Sequence, residues 1–147
     1  MIQRIQTLFL LLALICLALF LWMPLMVLEA PGYTEAVQGW DVRHFQFGYI
    51  FYINLILTGT AFGLSLIAIF LFKHRDYQII FSWFSLVFVT AAQAFVYYKF
   101  QTKVFMGDVV LTYWNLLSIA SVALLLAAVF FIRKDEHLLQ SLDRLRD

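Results

Sequence analysis

The sequence predicts an all-α integral membrane protein: a bundle of four transmembrane helices with a short cytoplasmic amphipathic C-terminal helix. Three observations carry that prediction. The chain has 147 residues, of which 64% are hydrophobic and 13% charged, against roughly half and a quarter in soluble domains. A chain this short reads as one small domain, whose core can hide only part of so much apolar surface, so the rest must face lipid. Four long segments carry no Asp, Glu, Lys or Arg: residues 5–28, 44–72, 77–98 and 109–132, with 24, 29, 22 and 24 residues. Each suffices for one passage through ~30 Å of hydrocarbon, which takes about 20 helical residues, and none for two. Helix is favoured because an open sheet in lipid leaves backbone groups unpaired, and the segments lack the alternating polarity of barrel strands.

The elements follow in order, with helices expected at about 5–28, 48–72, 78–100 and 110–132. The opening MIQRIQTLFLLLA could be a secretion signal or an anchor. A signal has an apolar core of about 7–15 residues and a small-x-small cleavage site. Here the run is longer and ends in Leu28, Glu29, Ala30 and Pro31, so an anchor is expected, with Arg4 as its basic flank. The connection EAPGYTEAVQGWDVRHFQFG is acidic through Glu29, Glu35 and Asp41, and its Pro31-Gly32 reads as a turn. The second segment is overlong, which places its HFQFG at the interface. The short KHRDYQ makes the second and third helices antiparallel neighbours. KFQTKVFMGD is also short, and no internal repeat is present. Residues 1–132 form the transmembrane domain in this reading and 133–147 the tail.

Orientation follows from Lys and Arg, which collect on the cytoplasmic side. Four crossings leave both ends on one side, with Arg4, Lys73, Arg75, Arg133, Lys134, Arg144 and Arg146; the other side has Arg43, Lys99 and Lys103. Both termini are therefore expected in the cytoplasm. The net charge of +1 and the absence of a dense basic run exclude a nucleic-acid footprint and a polybasic lipid cluster.

Inside the spans, LTGTAFGLSL puts Gly59 and Gly63 on one helix face, flanked by small residues including Ser65. Ala120, Ala123 and Ala127, with Ser118 and Ser121, form a second small stripe. Such stripes let helices approach closely where lipid gives no hydrophobic drive for association. They are read as packing surfaces, within the bundle or against another subunit. Asn54, Gln93 and Asn115 are the most polar side chains of the spans, expected at similar depth. Amides in hydrocarbon need partners, so the three form either a hydrogen-bonded staple or a polar pocket. No ionisable Asp, Glu, Lys or Arg lies at mid-depth, which argues against a proton relay, an ion-coupled pump or a voltage sensor.

Little points to catalysis or cofactors. Cys16 stands alone, so it reads as a small hydrophobe and has no partner for a disulfide or cysteine metal site. His44 lies at the outer edge of the second crossing, His74 in the cytoplasmic turn and His137 in the tail, so no histidine lies within the helices as an axial haem ligand would. No HExxH, nucleophile elbow or phosphate-cradling loop occurs. Asp135-Glu136 reads as a solvated acidic pair. No catalytic residue, cofactor or metal is therefore expected. Trp22, Trp40, Tyr49, Tyr52, Tyr97, Tyr98, Tyr113 and Trp114 gather at one boundary, Tyr77 and Trp83 at the other, as an interfacial belt. In the tail, Leu138, Leu139, Leu142 and Leu145 recur at helical spacing among balanced charges. A membrane-surface helix would carry excess Lys and Arg, so this stripe is read as docking on the bundle or on a partner.

MIQRIQTLFLLLA at the start and IRKDEHLLQSLDRLR at the end, around four crossings, resemble a family of uncharacterised inner-membrane proteins of Bacteroidota. The resemblance spans the chain and implies a bacterial cytoplasmic-membrane location. It carries no substrate, cofactor or catalytic residue, and fits a docking role for Gln3, Arg4, Gln6 and the tail. The leading functional expectation is a non-enzymatic accessory or assembly subunit, with lipid and a protein subunit or second copy as partners. A small transporter or lipid-handling protein using the three amides is the alternative. An enzyme working at Glu35, Asp41 and His44 comes third.

Overall fold

The structure, a computed structural model, describes residues 2–30, 33–38, 48–72, 74–101 and 108–144. Four helices dominate it: α1 (Ile2–Trp22), α2 (Gly48–Phe70), α3 (Arg75–Gln101) and α4 (Leu116–Arg144). All four are long and apolar enough to cross a membrane. They pack as a ring, α1 against α2 and α4, α3 against α2 and α4. A short connection imposes one of these contacts, α2 against α3. The α2–α3 turn is tight, with Leu71 N–H donating to Ile67 O and His74 N–H to Leu71 O. Asp76 in the first turn of α3 and Lys99 in its last suit the helix dipole.

The core is narrow and built from small residues. Leu10, Ala13 and Leu17 of α1 meet Ala61 and Ala68 of α2, Val89 of α3, and Leu125 and Ala128 of α4. Small side chains at this seam let the helices come close, which supplies dispersion contacts between them. The Phe9 and Phe131 rings stack at 5.2 Å across α1 and α4. Outward-facing side chains are largely apolar too, Ile56, Phe84, Ile119 and Phe130 among them.

The connections correct the all-α expectation. A three-stranded antiparallel sheet of β1 (Pro24–Ala30), β2 (Tyr33–Gln38) and β3 (Asp108–Leu111) lies at one end of the bundle, in the order β2-β1-β3. The β-branched and aromatic residues, Val109 and Val110 of β3 and Tyr33, Thr34 and Val37 of β2, suit strands. β1 pairs Met26 with Leu111 and Val27 with Val110 on one side, Val27 with Ala36 on the other. The register slips between Pro24 and Met26, leaving Leu25 as the extra residue of a bulge.

Three helix limits also differ from expectation. α1 stops at Trp22 rather than residue 28, because Pro24 has no N–H and disfavours helix in the residue before it. The final helical bond runs from Met23 N–H to Leu19 O, 2.8 Å. α4 starts at Leu116 rather than 110, since residues 108–111 pair with β1 and a 3-10 turn, Tyr113–Asn115, intervenes. At its other end α4 runs unbroken past Arg133 to Arg144. The amphipathic tail helix expected after residue 132 is thus continuous with α4, whose 29 residues span about 44 Å at 1.5 Å per residue.

Candidate functional site

The polar side chains buried between the helices are the candidate site, and they fall into three levels. At the end away from the sheet, Arg75 Nη1 of α3 lies 2.7 Å from Asp135 Oδ2 of α4. The contact is held by distance and charge rather than by in-line hydrogen-bond geometry. One turn before Asp135, Gln6 Nε2 of α1 donates to Phe131 O of α4 at 3.1 Å. Gln78 is buried one turn above Arg75, with its Nε2 unpartnered among the described residues. The Arg133 guanidinium sits 5.6 Å from the centre of the Trp83 ring, a cation–π distance.

At mid-height, Ser65 Oγ of α2 and Ser85 Oγ of α3 are 2.7 Å apart, and Ser85 donates to Ala61 O at 2.8 Å. Two hydroxyls and a carbonyl thus tie α2 to α3 without any charged group. Ser82 returns its proton to Gln78 O of its own helix at 2.8 Å.

The third level, nearest the sheet, holds the three amides. Gln93 and Asn54 share one height. Counted from the Ser85–Ala61 contact, Gln93 is eight residues along α3, about 12 Å, and Asn54 seven back along α2, about 10.5 Å. Asn54 is buried and accepts a long 3.5 Å bond from Thr58, with its Nδ2 unpartnered. Asn115 is spent elsewhere. Its Nδ2 donates to Leu25 O at 2.7 Å and to Thr112 O at 2.8 Å. Leu25 is the bulged residue of β1, and its carbonyl also accepts Thr112 N–H at 3.2 Å. Asn115 therefore pins the sheet to the start of α4. Asn115→Ala should cost about 1 kcal/mol, because Thr112 N–H still serves the carbonyl; thermal unfolding in detergent measures it.

A single three-amide pocket is thus not formed. Gln93 lines an open groove of about 240 Å³ between α3 and α4, with Thr90, Ser118, Ile119 and Val122, and neither other amide lines it. A second groove of about 440 Å³, almost wholly apolar, runs between α1 and α2 past Ala18, Leu21, Trp22, Leu55 and Phe62.

The small-residue stripes also need correction. A Cβ built on Gly59 or on Gly63 meets nothing within 4 Å. Ala120 and Ala123 are exposed and Ala127 is half-buried, while Ser65 is buried as expected. The packing faces are Asn54, Thr58, Ala61, Ser65 and Ala68 on α2, and Ser118, Ser121, Leu125, Ala128 and Ile132 on α4. At 100° per residue, Gly59 and Gly63 lie 140° and 180° around α2 from Asn54, at the centre of that face. Close packing of small residues holds, but through a different set of them.

Asp135 is the other correction: it is buried against Arg75, not part of a solvated acidic pair. One signal could have found it. Arg75 and Asp135 are opposite charges at the same end of two antiparallel neighbours. Gln6, expected at a docking surface, is used inside the bundle. Leu138, Leu139 and Leu142 lie on the α4 backbone, and Leu145 is outside the described residues, as are Asp41 and His44. Glu35 lies on β2, opposite Leu28. Among the described residues, no three His, Cys, Asp or Glu side chains group to hold a metal ion.

A family described as a domain of unknown function (DUF4293) matches residues 2–145. The chain belongs to this family. No curated protein and no solved structure matches it.

Proposed function

We propose that this member of the family is a multi-pass protein of the bacterial cytoplasmic membrane, with both termini in the cytoplasm, serving as a non-enzymatic accessory or assembly subunit. The observation that carries the reading is the pair of small-residue stripes turned outward. Gly59 and Gly63 on α2, and Ala120 and Ala123 on α4, do no packing within the bundle. In lipid, such a surface favours close approach by another helix. Four of the ten polar side chains buried among the described residues, Gln6, Ser65, Ser85 and Asp135, bind one helix to the next, a structural use that supports the same reading. The unbroken extension of α4 adds a rod reaching about 17 Å beyond Arg133, eleven residues at 1.5 Å each.

Purification in mild detergent tests it. A stoichiometric partner protein or a defined homo-oligomer is expected, and Gly63→Leu should dissociate it while the protomer stays folded. A lone wild-type monomer that catalyses a reaction would reject the proposal. Reporter fusions placing the two termini on opposite faces would reject the topology.

A further inference from the structure

The groove between α3 and α4 contains a hydrogen-bond donor that the protein leaves unused. Three of its five lining residues carry polar groups: Thr90, Gln93 and Ser118. Thr90 Oγ1 gives its proton to Leu86 O and Val87 O, both at 2.9 Å, and Ser118 Oγ gives its proton to Asn115 O at 2.6 Å. Gln93 Nε2 is buried and unpartnered among the described residues. A buried amide donor without an acceptor costs about 1–3 kcal/mol, and hydrocarbon tails offer it nothing. The remaining wall, Ile119 and Val122, is apolar, and Ile119 is exposed on the outside of the bundle.

The height of the groove narrows what can fill it. Gln93 is four residues before Tyr97 and eight before the end of α3 at Gln101, and Ser118 follows the 3-10 turn carrying Tyr113 by three residues. Tyr97, Tyr98 and Tyr113 are all exposed there. Such rings mark the headgroup level of a bilayer, and one to two turns below them lies the boundary where lipid ester carbonyls meet the acyl chains.

We propose that this groove is a site for an ester-linked membrane lipid, whose carbonyl accepts the hydrogen bond of Gln93 Nε2 once the amide turns from its buried position into the groove, while its acyl chain lies over Ile119 and Val122. The site rests on the membrane reading of the chain and is independent of the accessory role.

Purified protein exchanged with a diester phospholipid and its diether analogue, which shares the headgroup but lacks both carbonyls, tests the proposal by native mass spectrometry. One net hydrogen bond makes the expected preference for the diester lipid about fivefold. Gln93→Leu should abolish that preference. Ile119→Trp, at an exposed position where folding is not at stake, should fill the groove and abolish it too. Equal retention of the two lipids by the wild type overturns the site, and is the result if water satisfies Gln93 instead. A preference that survives either substitution also overturns it. Release of the protein from membranes by alkaline carbonate would overturn the membrane reading and the site together; equal retention from protein that resists carbonate overturns the site alone.

Discussion

Replacing Arg75 with leucine is expected to destabilise the bundle by about 3 kcal/mol, because Asp135 would be left as a buried charge without a counterion. That figure is the lower end of the range for breaking a buried pair. The two side chains retain 18% and 11% of their exposure, so water offers Asp135 partial relief. The double variant Arg75→Leu/Asp135→Leu should recover most of the loss, since exchanging a buried pair for packed apolar groups is often neutral. Unfolding followed by denaturing-detergent titration of the wild type, Arg75→Leu, Asp135→Leu and the double variant closes the cycle. A double variant as unstable as the sum of its singles would show that the 2.7 Å contact carries no coupling.

This ion pair does more than join two helices. α4 continues beyond Asp135 for nine residues to Arg144. The pair is the last described charge contact before that extension, and Gln6 grips Phe131 O one turn earlier. Two long-range polar contacts, one to α1 and one to α3, thus fix α4 within the turn where it leaves the bundle. The Asn115–Leu25 contact does the equivalent at the other end, where the sheet meets α4. The fourth helix is held at both ends by polar ties and along its middle by Ser121, Leu125 and Ala128.

The four helices were legible because length and the absence of charge decide them, and both are read directly from the chain. Their limits were less so. Pro24 was visible as a helix breaker, yet the apolar run continues through MVL and hides the change from helix to strand. β3 pairs with a strand some eighty residues earlier, a non-local contact that no short window of sequence displays. Common depth for Asn54 and Gln93 followed from their positions along two antiparallel helices. Which acceptor each amide finds did not, since Leu25 O became available to Asn115 only through the bulge in β1. Rotation of α2 was the hardest to read. A helix apolar on every side has no polar face to turn outward, so its rotation depends on which small and polar residues find partners across the seam.

That rotation leads to the sharpest contrast between two substitutions on neighbouring helices. Ser85→Leu should cost about 3 kcal/mol or more: it puts three carbons where one oxygen sat in the α2–α3 seam and removes the 2.7 Å and 2.8 Å contacts to Ser65 and Ala61. Interhelical hydrogen bonds of this kind contribute only about 0.6 kcal/mol each on average, so the steric term dominates and Ser85→Ala should be far milder. Gly63→Leu adds even more bulk, four carbons, to α2 where a Cβ has open space around it, and the fold should stay within about 0.5 kcal/mol of wild type. The same denaturing titration ranks the three. Its readout is separate from oligomeric state, which Gly63→Leu should change if the outward stripe meets another subunit. Equal destabilisation by Ser85→Leu and Gly63→Leu would mean that α2 turns its glycines inward, and the interior polar contacts of α2 described above would fall with that.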